Sequence, residues 1–255
     1  MTGHRLPTNP IVVIPARMAS TRLPGKPLAD IHGEAMIVHV WRRGIEAGLG
    51  PVIVACAEAE IAKAVEAAGG RAVLTDPAHP SGSDRIFEAL GKIDPEGRHD
   101  AVINLQGDLP TIDPKIIRRC LDPLADPAVD IATLVAGIVE PREIHEPSVV
   151  KAALALDPKT RLGRALYFSR AAIPSGEGPR YHHIGLYAYR PAALRRFVAL
   201  APGILETREK LEQLRALEAG MRIDAACVDT VPFGVDTPQD LERARSMLAP
   251  ANRTP

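Results

Sequence analysis

The stretch IVVIPARMASTRLPGKPL, residues 11–28, decides how this chain is expected to fold. Its first four residues are apolar and β-branched, which predicts a short buried strand. Pro15 ends the strand because proline has no N–H to donate to a sheet. The loop that follows carries three cations, Arg17, Arg22 and Lys26. The sequence therefore predicts a buried first strand followed directly by a basic loop.

Loops that follow the strands of an open α/β sheet commonly hold its ligands. Arginine offers a planar fork to phosphate oxygens and lysine a compact charge, so Arg17, Arg22 and Lys26 suit a polyanion. We predict a phosphate-binding loop, with a solvated basic loop as the alternative. The run Gly25-Lys-Pro27 is not a Walker A loop, because it lacks the leading glycine and the Ser or Thr after the lysine.

The composition is typical of a globular protein without a dominant charge. Of 255 residues, 46% are hydrophobic and 24% are charged, and a net charge of zero gives no basic field that favours nucleic acid. Three widely spaced cysteines form neither a metal motif nor a disulfide framework, which predicts a reducing, cytoplasmic location. Residues 1–10 lack the apolar core of a signal peptide, and no apolar run approaches ~20 residues, so no membrane insertion is expected. Residues 1–10 and 250–255 are expected to be loose ends.

Strands and helices alternate along the first half of the chain. The predicted strands are 11–14, 52–55, 72–74, 101–105 and 131–137, and the predicted helices are 36–47, 58–68, 83–93 and 114–121. This alternation predicts an α/β protein with a doubly wound, mostly parallel, Rossmann-like sheet.

The alternation then breaks. Three strand-like segments, 149–156, 165–167 and 181–189, follow one another with turn residues between them, which indicates an antiparallel insertion. Helices 191–200 and 206–218, a strand 222–228 and a last helix from Pro238 to Leu248 then resume the pattern. The predicted organisation is an α/β core at 11–145, an insertion at 146–190 and a return to the core at 191–248.

Two aspartates stand where strands are predicted to end. Asp108 follows a buried strand, and Asp236 precedes a helix whose N-cap is already supplied by Thr237, with Asp240 placed to complete the cap. Mg²⁺ prefers one or two carboxylates together with phosphate oxygens. We therefore predict a metal–triphosphate site, although aspartates at such positions can also simply form turns.

A second polar segment, Ser81-Gly-Ser-Asp-Arg85, opens a predicted helix. Helix N-termini favour an anion or a polar ring edge. Capping by Ser81 or Ser83 is the structural alternative and is compatible with binding. Arg85 lies in the first turn, where a cation is unfavourable, so we expect it to have a partner.

The segment from 165 to 218 carries polar groups of less obvious purpose. Arg170 ends an apolar run, and His183 and Tyr187 share one face of an alternating strand. The following helix could supply hydroxyl-recognising groups from Glu206, Glu212 and Gln213, whereas Glu209, Lys210 and Glu218 are expected on a solvated face. Each histidine could equally be an ordinary strand residue. The chain shows no Ser–His–Asp order, CxxC pair or HExxH motif, so hydrolase and zinc functions have no support.

With these motifs in place, the chain resembles the 3-deoxy-manno-octulosonate (Kdo) cytidylyltransferases from residue 11 to about residue 247. The motifs that carry the resemblance are IPARMASTRLPGKPL (14–28), MIVHV (36–40), AVEAAGG (64–70), SGSDR (81–85), NLQGDLP (104–110), ALYFSRAAIP (165–174), HHIGLYAYR (182–190), LEQLRALEAG (211–220) and GVDTPQDLERAR (234–245). The first and last are long and specific.

The resemblance implies that the 2-hydroxyl of Kdo attacks the α-phosphate of CTP, giving CMP-Kdo and pyrophosphate for lipopolysaccharide biosynthesis. The implied catalytic residues are Arg17, Lys26, Asp108 and Asp236, and the two aspartates would hold Mg²⁺. The implied nucleotide-binding residues are Pro15, Ala16, Arg17, Arg22, Lys26, Ser81, Gly82, Arg85 and Gln106. The implied sugar-binding residues are Arg170, His183, Tyr187, Glu212 and Gln213. The resemblance also implies a homodimer that pairs through the antiparallel insertion.

Three positions depart from the family pattern. Leu109 stands where the family usually has Glu, Cys56-Ala57 replaces a Thr-Asp pair that could cap a helix or contact the base, and the loop 175–179 is short. These departures keep two alternatives open: a cytidylyltransferase for another acidic sugar, such as 8-amino-Kdo or a sialic-acid-like sugar, and a non-catalytic nucleotide-binding module. A nucleotide-sugar glycosyltransferase is a third, but Asp108-Leu-Pro110 lacks the second Asp that such a site normally has.

Overall fold

The computed structural model describes residues 5–249. These residues form two compact units. The loop-bearing unit consists of Ile11–Pro95, Leu105–Pro114 and the chain from Pro232 onward. The hairpin unit consists of Glu96–Asn104, Lys115–Val231 and the described residues up to Pro10.

The elements are numbered in chain order. The strands are β1 (Pro10–Ala16), β2 (Asp30–Ile31), β3 (Glu34–Ala35), β4 (Val52–Cys56), β5 (Arg71–Leu74), β6 (Ala101–Asn104), β7 (Ile131–Gly137), β8 (Lys151–Asp157), β9 (Leu162–Ser169), β10 (Tyr181–Tyr189) and β11 (Ile223–Val228). The helices are α1 (Met36–Glu46), α2 (Ala59–Ala67), α3 (Gly82–Ile93), α4 (Pro114–Arg119), α5 (Pro191–Val198), α6 (Ile204–Glu209), α7 (Leu214–Glu218) and α8 (Pro238–Met247). Short 3₁₀ turns occupy Lys26–Leu28, Asp122–Ala125 and Pro141–Ile144.

The loop-bearing unit contains parallel strands in the order β5-β4-β1. The apolar residues 11–14 are at most 1% exposed, as the continuous apolar run of β1 predicts. A second cluster packs α8 against the start of α1 through Met36, Val235 and Leu241. This cluster holds residues 234–237 close to the first strand and its loop.

The hairpin unit contains strands in the order β6-β10-β7-β11-β9-β8. Only β7 and β11 pair in parallel there, while β10 is antiparallel to β6, β7 and β8, and β9 is antiparallel to β8 and β11. The antiparallel pairing predicted within 146–190 is confirmed for β8, β9 and β10. The prediction of a mostly parallel sheet is wrong for this unit, because β10 also pairs antiparallel with β6 and β7. The reason is that β8, β9 and β10 follow one another without an α-helix, and a parallel partner usually needs a helical crossover.

One local prediction fails, and one short element was not predicted. The helix predicted at 206–218 is two short helices, α6 and α7, because Lys210 has a left-handed backbone (φ 56°) that ends α6. Leu211 and Leu214, which follow the break, are both buried. The hairpin of β2 and β3, which turns at His32 and Gly33 with positive φ, is too short to leave a periodic pattern in the sequence.

Part of the segment 1–10, which was predicted to be a loose end, is held in place by hydrogen bonds. The backbone N–H groups of Thr8 and Asn9 donate to the Asp100 carboxylate at 2.6 and 2.9 Å. The remaining predicted loose ends, residues 1–4 and 250–255, lie outside the described residues. Among residues 5–249, no helix has both the length and the hydropathy that a membrane span requires.

Candidate functional site

The basic loop after β1 lines a cleft in the loop-bearing unit. The cleft has a volume of about 420 Å³, within the ~300–1,000 Å³ range of small-molecule sites. The residues that line it are Pro15, Ala16, Arg17, Ala19, Ser20, Thr21, Arg22, Lys26, Pro27, His79, Ser81, Gly82, Arg85, Gln106, Gly107 and Asp108. All nine residues predicted to bind nucleotide are on this list, so the fold brings three separate sequence motifs into one cleft.

Lys26 is the centre of the polar contacts in this cleft. Its Nζ donates to Asp108 Oδ2 at 2.9 Å, to Asp236 Oδ1 at 3.1 Å and to the backbone oxygen of Val235 at 3.0 Å. Burial acts to lower the pKa of Lys26, but the ion pairs and hydrogen bonds with the two aspartates outweigh it and raise that pKa above its ordinary value. All three ammonium protons are donated, so any phosphate that binds Lys26 must compete with these acceptors.

Local structure fixes the position of Asp236. Thr237 caps α8 by accepting from Asp240 N at 3.2 Å, and Asp240 Oδ2 in turn accepts from Thr237 N at 2.9 Å. The predicted cap of this helix is therefore confirmed, and Asp236 is not needed for it. Asp236 instead pairs with Lys26 through one carboxylate oxygen and with Arg22 Nη2, at 3.0 Å, through the other.

The chain approaches itself closely beside Asp108. A Cβ atom on Gly107 would lie 2.8 Å from the backbone oxygen of Pro15, closer than such contacts occur, so only glycine fits there. On the other side of Asp108, its backbone oxygen accepts from Val235 N at 2.9 Å. These two close approaches place Asp108 between the end of β1 and the segment that carries Asp236.

The donor set fits a magnesium ion. Carboxylate oxygens of Asp108 and Asp236 both lie within 3.1 Å of a single point, the ammonium nitrogen of Lys26, so they converge on one small cation. Their side chains are 32% and 46% exposed, which leaves room for oxygens from a ligand. Within residues 5–249, no group of three or more His, Cys, Asp or Glu residues could hold a metal. Two carboxylates with ligand phosphates and water match the preference of Mg²⁺.

Arg85 also lines the cleft and is 2% exposed. Its Nη1 donates to Thr75 Oγ1 at 2.5 Å, whereas its buried Nη2 has no hydrogen-bond partner among residues 5–249. Burial, reinforced by the charge of Arg17, lowers the pKa of Arg85 below its ordinary value. The expected partner of Arg85 is thus a hydroxyl and not a carboxylate, and the N–H groups of Nη2 remain for a ligand.

The neighbouring helix terminus behaves as predicted. Ser81 is the N-cap of α3, and its Oγ accepts from Asp84 N at 3.2 Å. Glu58, at the N-cap of α2, makes no side-chain cap, which agrees with the loss expected from Cys56-Ala57. Its Oε2 accepts instead from Met18 N at 3.1 Å and so holds the basic loop.

The five residues predicted to bind the sugar lie in the hairpin unit. His183 and Tyr187 belong to a row of rings that runs through Phe168, His183, Tyr187, Tyr189 and Phe197, with centroids 4.7–6.0 Å apart. The Nε2 of His183 lies 3.0 Å from Thr133 Oγ1, and burial lowers the pKa of His183 to about 3. Burial also raises the pKa of Tyr187 well above its ordinary value, with a contribution from the charge of Glu212.

Arg170 and Gln213 differ in how their polar atoms are used. The guanidinium of Arg170 donates to the backbone oxygens of Pro147, Glu209 and Lys210 at 2.9, 2.9 and 3.4 Å. Gln213 is 6% exposed, and its Nε2 has no hydrogen-bond partner among the described residues. Gln213 therefore offers a buried donor, whereas most of the guanidinium of Arg170 binds the chain itself.

Some residues that contribute to the cleft or to the hairpin unit were not predicted from the sequence. Thr75 positions Arg85, and His79 lines the cleft, yet neither belongs to a recognisable motif. The solvated face predicted for Glu209 is wrong: its carboxylate accepts from Ser169 Oγ at 2.7 Å and from Arg170 N at 3.0 Å. A helical pattern that continued through Lys210 concealed this contact, because the break in the helix turns Glu209 toward β9.

Comparisons with known proteins agree with this geometry. The model of the family described as cytidylyltransferase matches residues 11–223. The 3-deoxy-manno-octulosonate cytidylyltransferase of Paramagnetospirillum magneticum is 69% identical over 94% of this chain and 97% of its own length. That of Rhodospirillum centenum is 67% identical over 96% of this chain and 95% of its own.

A solved structure shows a closely similar fold. CMP:2-keto-3-deoxy-manno-octonic acid synthetase, complexed with CTP, aligns with a TM-score of 0.86 and 40% identity. The alignment covers 94% of this chain and 98% of the other. The α/β nucleotidyltransferase fold is therefore shared over nearly the whole chain.

Proposed function

The chain belongs to the cytidylyltransferase family, and on that premise we propose that it is a 3-deoxy-manno-octulosonate cytidylyltransferase that joins Kdo to the CMP part of CTP and releases pyrophosphate. The observation that carries the proposal is the pairing of Lys26 with both Asp108 and Asp236 in a cleft that also contains Arg17 and Arg22. Cations and converging carboxylates in one cleft suit a triphosphate and its metal.

The chemistry requires positioning and charge stabilisation more than a side-chain nucleophile. The 2-hydroxyl oxygen of Kdo forms a bond to the α-phosphorus and loses its proton to water. The bond from that phosphorus to the oxygen that bridges the α- and β-phosphates breaks, and its electron pair leaves with pyrophosphate. Arg17, Arg22 and Lys26 would hold the phosphate oxygens as negative charge shifts toward the leaving group. Lys26 must give up at least one of its three acceptors to do so.

Asp108 and Asp236 would hold the magnesium ion. When bound, the ion supplies Lewis-acid stabilisation of the phosphate charge. Arg22 and Lys26, which form ion pairs with these carboxylates, would turn to the phosphates.

Other residues that line the cleft would recognise the nucleoside. The buried Nη2 of Arg85 has a proton to donate, and an acceptor on the nucleotide would satisfy it. Ser81, Gly82 and Gln106 line the same cleft and would contribute contacts to the base or ribose.

Sugar recognition is proposed for the hairpin unit, through Arg170, His183, Tyr187, Glu212 and Gln213. The neutral His183 suits the hydroxyls of a sugar acid, as does the Nε2 of Gln213, which has no hydrogen-bond partner within residues 5–249. We further propose that the antiparallel region 146–190 mediates a homodimer and that the core is doubly wound. The three cysteines are buried and free, which fits an enzyme of the reducing cytoplasm.

A pyrophosphate-release assay tests the proposal. Purified protein is incubated with CTP and Mg²⁺ together with Kdo, 8-amino-Kdo or a sialic acid in separate reactions. We expect release with Kdo and a requirement for Mg²⁺. Release with another sugar acid but not with Kdo would overturn the substrate assignment, and CTP binding without release in any reaction would favour a non-catalytic nucleotide-binding module.

A further inference from the structure

We propose that Glu209 is a positioning residue for sugar binding. Its carboxylate attaches the turn between α6 and α7 to the end of β9 and thereby orients Glu212 and Gln213, which are proposed to bind the sugar acid. This inference rests on the proposed function, because that proposal assigns Glu212 and Gln213 to the sugar acid. Glu209 itself touches no substrate in the proposal and acts through its neighbours.

The carboxylate of Glu209 accepts from three donors at the end of β9. Ser169 Oγ lies 2.7 Å and Tyr167 OH 3.4 Å from Oε1, and Arg170 N lies 3.0 Å from Oε2. Burial acts to raise the pKa of Glu209, but these hydrogen bonds outweigh it and keep that pKa below its ordinary value. The Glu209 carboxylate is therefore held in one position by three donors and is not a solvated surface group.

Arg170 completes the attachment from the opposite direction. Its Nε donates to the backbone oxygen of Glu209 at 2.9 Å, and its Nη2 donates to that of Lys210 at 3.4 Å. The end of β9 therefore binds the side chain and the main chain of the last residue of α6. Reciprocal bonds of this kind restrict both the position and the direction of the turn that follows.

The turn itself has little other freedom. Lys210 has a left-handed backbone, and Leu211 is 7% exposed. On its far side, Arg215 forms a bidentate pair with Glu206, with Nε–Oε2 at 2.7 Å and Nη2–Oε1 at 2.5 Å, which joins α6 to α7. Of these two attachments, only that of Glu209 reaches β9.

The decisive measurement separates the Michaelis constants of the two substrates. In Glu209→Gln, we expect the KM for the sugar acid to rise about tenfold, because small displacements of binding groups are costly, while the KM for CTP changes less than twofold. Glu209→Asp restores the charge at a shorter reach, so we expect an intermediate KM. Ser169→Ala removes one donor and should shift the same KM in the same direction by a smaller factor.

Glu218→Gln is the matched control. Glu218 lies on α7, and both of its carboxylate oxygens accept from Leu205 N on α6 at 3.2 Å, whereas Glu209 accepts from donors on β9. We expect neither KM to change in this variant. Equal changes in both KM values for Glu209→Gln, or a lower melting temperature with both KM values unchanged, would overturn the proposal by showing that the role is only structural.

Amide hydrogen exchange tests the same inference without turnover. In Glu209→Gln, the amides of 210–213 should exchange at least several times faster than in the wild type, whereas those of the cleft loop, residues 17–26, should not change. Unchanged exchange at 210–213 overturns the inference whether or not the enzyme is active. Wild-type protein that releases no pyrophosphate with any sugar acid would instead overturn the proposed function, so the two failures are distinguishable.

Discussion

Lys26 in the cleft and His183 in the hairpin unit are both largely removed from water, and burial acts to lower the pKa of each, yet their pKa values shift in opposite directions. The side chain of Lys26 is 16% exposed and His183 is 7% exposed. The pKa of Lys26 is raised, whereas that of His183 falls to about 3. The difference lies in the partners: Lys26 faces two carboxylates, while His183 faces a hydroxyl and the neighbouring His182.

The comparison indicates what each region is built to bind. Lys26 keeps its positive charge beside the negative charges of Asp108 and Asp236. Under the proposed function, these three groups would exchange their mutual contacts for contacts with a triphosphate and a metal. A buried imidazole without an anionic partner stays neutral and contributes hydrogen bonds and packing. The following predictions test this contrast, from the largest expected effect to the smallest.

Removing the cleft ammonium should have the largest effect. In Lys26→Ala, the two aspartates lose their shared cation and the phosphates lose a point charge, so we expect kcat/KM to fall about 10³-fold. Pyrophosphate release measures the change. Lys63→Ala removes an exposed lysine of α2 and should leave the rate unchanged. Near-normal turnover in Lys26→Ala would remove the main argument for the site.

Neutralising one carboxylate should act through the metal. In Asp236→Asn, we expect kcat/KM to fall about 10²-fold and the Mg²⁺ concentration for half-maximal rate to rise. A titration of rate against Mg²⁺ makes the measurement. Asp229→Asn changes an exposed aspartate of the hairpin unit and serves as the control. An unchanged Mg²⁺ requirement would separate Asp236 from the metal.

Replacing the fork of Arg85 should weaken nucleotide binding. Lysine cannot both donate to Thr75 and present a second N–H in the position of Nη2, so Arg85→Lys should raise the KM for CTP about tenfold, the equivalent of one charged hydrogen bond. Arg71→Lys makes the same substitution at an exposed position of β5 and should have no effect. If both variants kept the wild-type KM, Arg85 would be a packing residue.

The smallest effect concerns stability and pH in the hairpin unit. The unfolded chain binds a proton at His183 near pH 6.5, whereas the folded imidazole does so only near pH 3. Stability from this group is therefore present above pH 6.5 and is lost as the pH falls toward 3. Between pH 6 and pH 4, the free energy of unfolding of the wild type should fall more steeply than that of His183→Gln, by about 1 kcal/mol per pH unit.

Denaturant titrations at several pH values measure these slopes. His145→Gln, at an exposed histidine, should keep the slope of the wild type. Parallel slopes in wild type and His183→Gln would mean that the imidazole titrates normally and that the contrast with Lys26 is absent.

Much of the local structure follows from neighbouring residues. The apolar run 11–14 specifies a buried strand, and Thr237 with Asp240 specifies the start of α8, because both signals act within four positions of the chain. The same reasoning missed the break at Lys210, since leucine spacing continues through it as in a single helix. It also missed the mixed pairing of β10, because residue patterns identify a strand but not its neighbours.

The sequence by itself determined the candidate groups, their order and the family resemblance. Only the tertiary structure decided which groups meet: Lys26 contacts Asp108, 82 positions away, and Asp236, 210 positions away. Likewise, Glu209 changed from an expected surface residue to the partner of Ser169, 40 positions earlier. The physical reason is that periodicity and capping depend on bonds within a few residues, whereas ion pairing and burial depend on distances that exist only after the strands have paired.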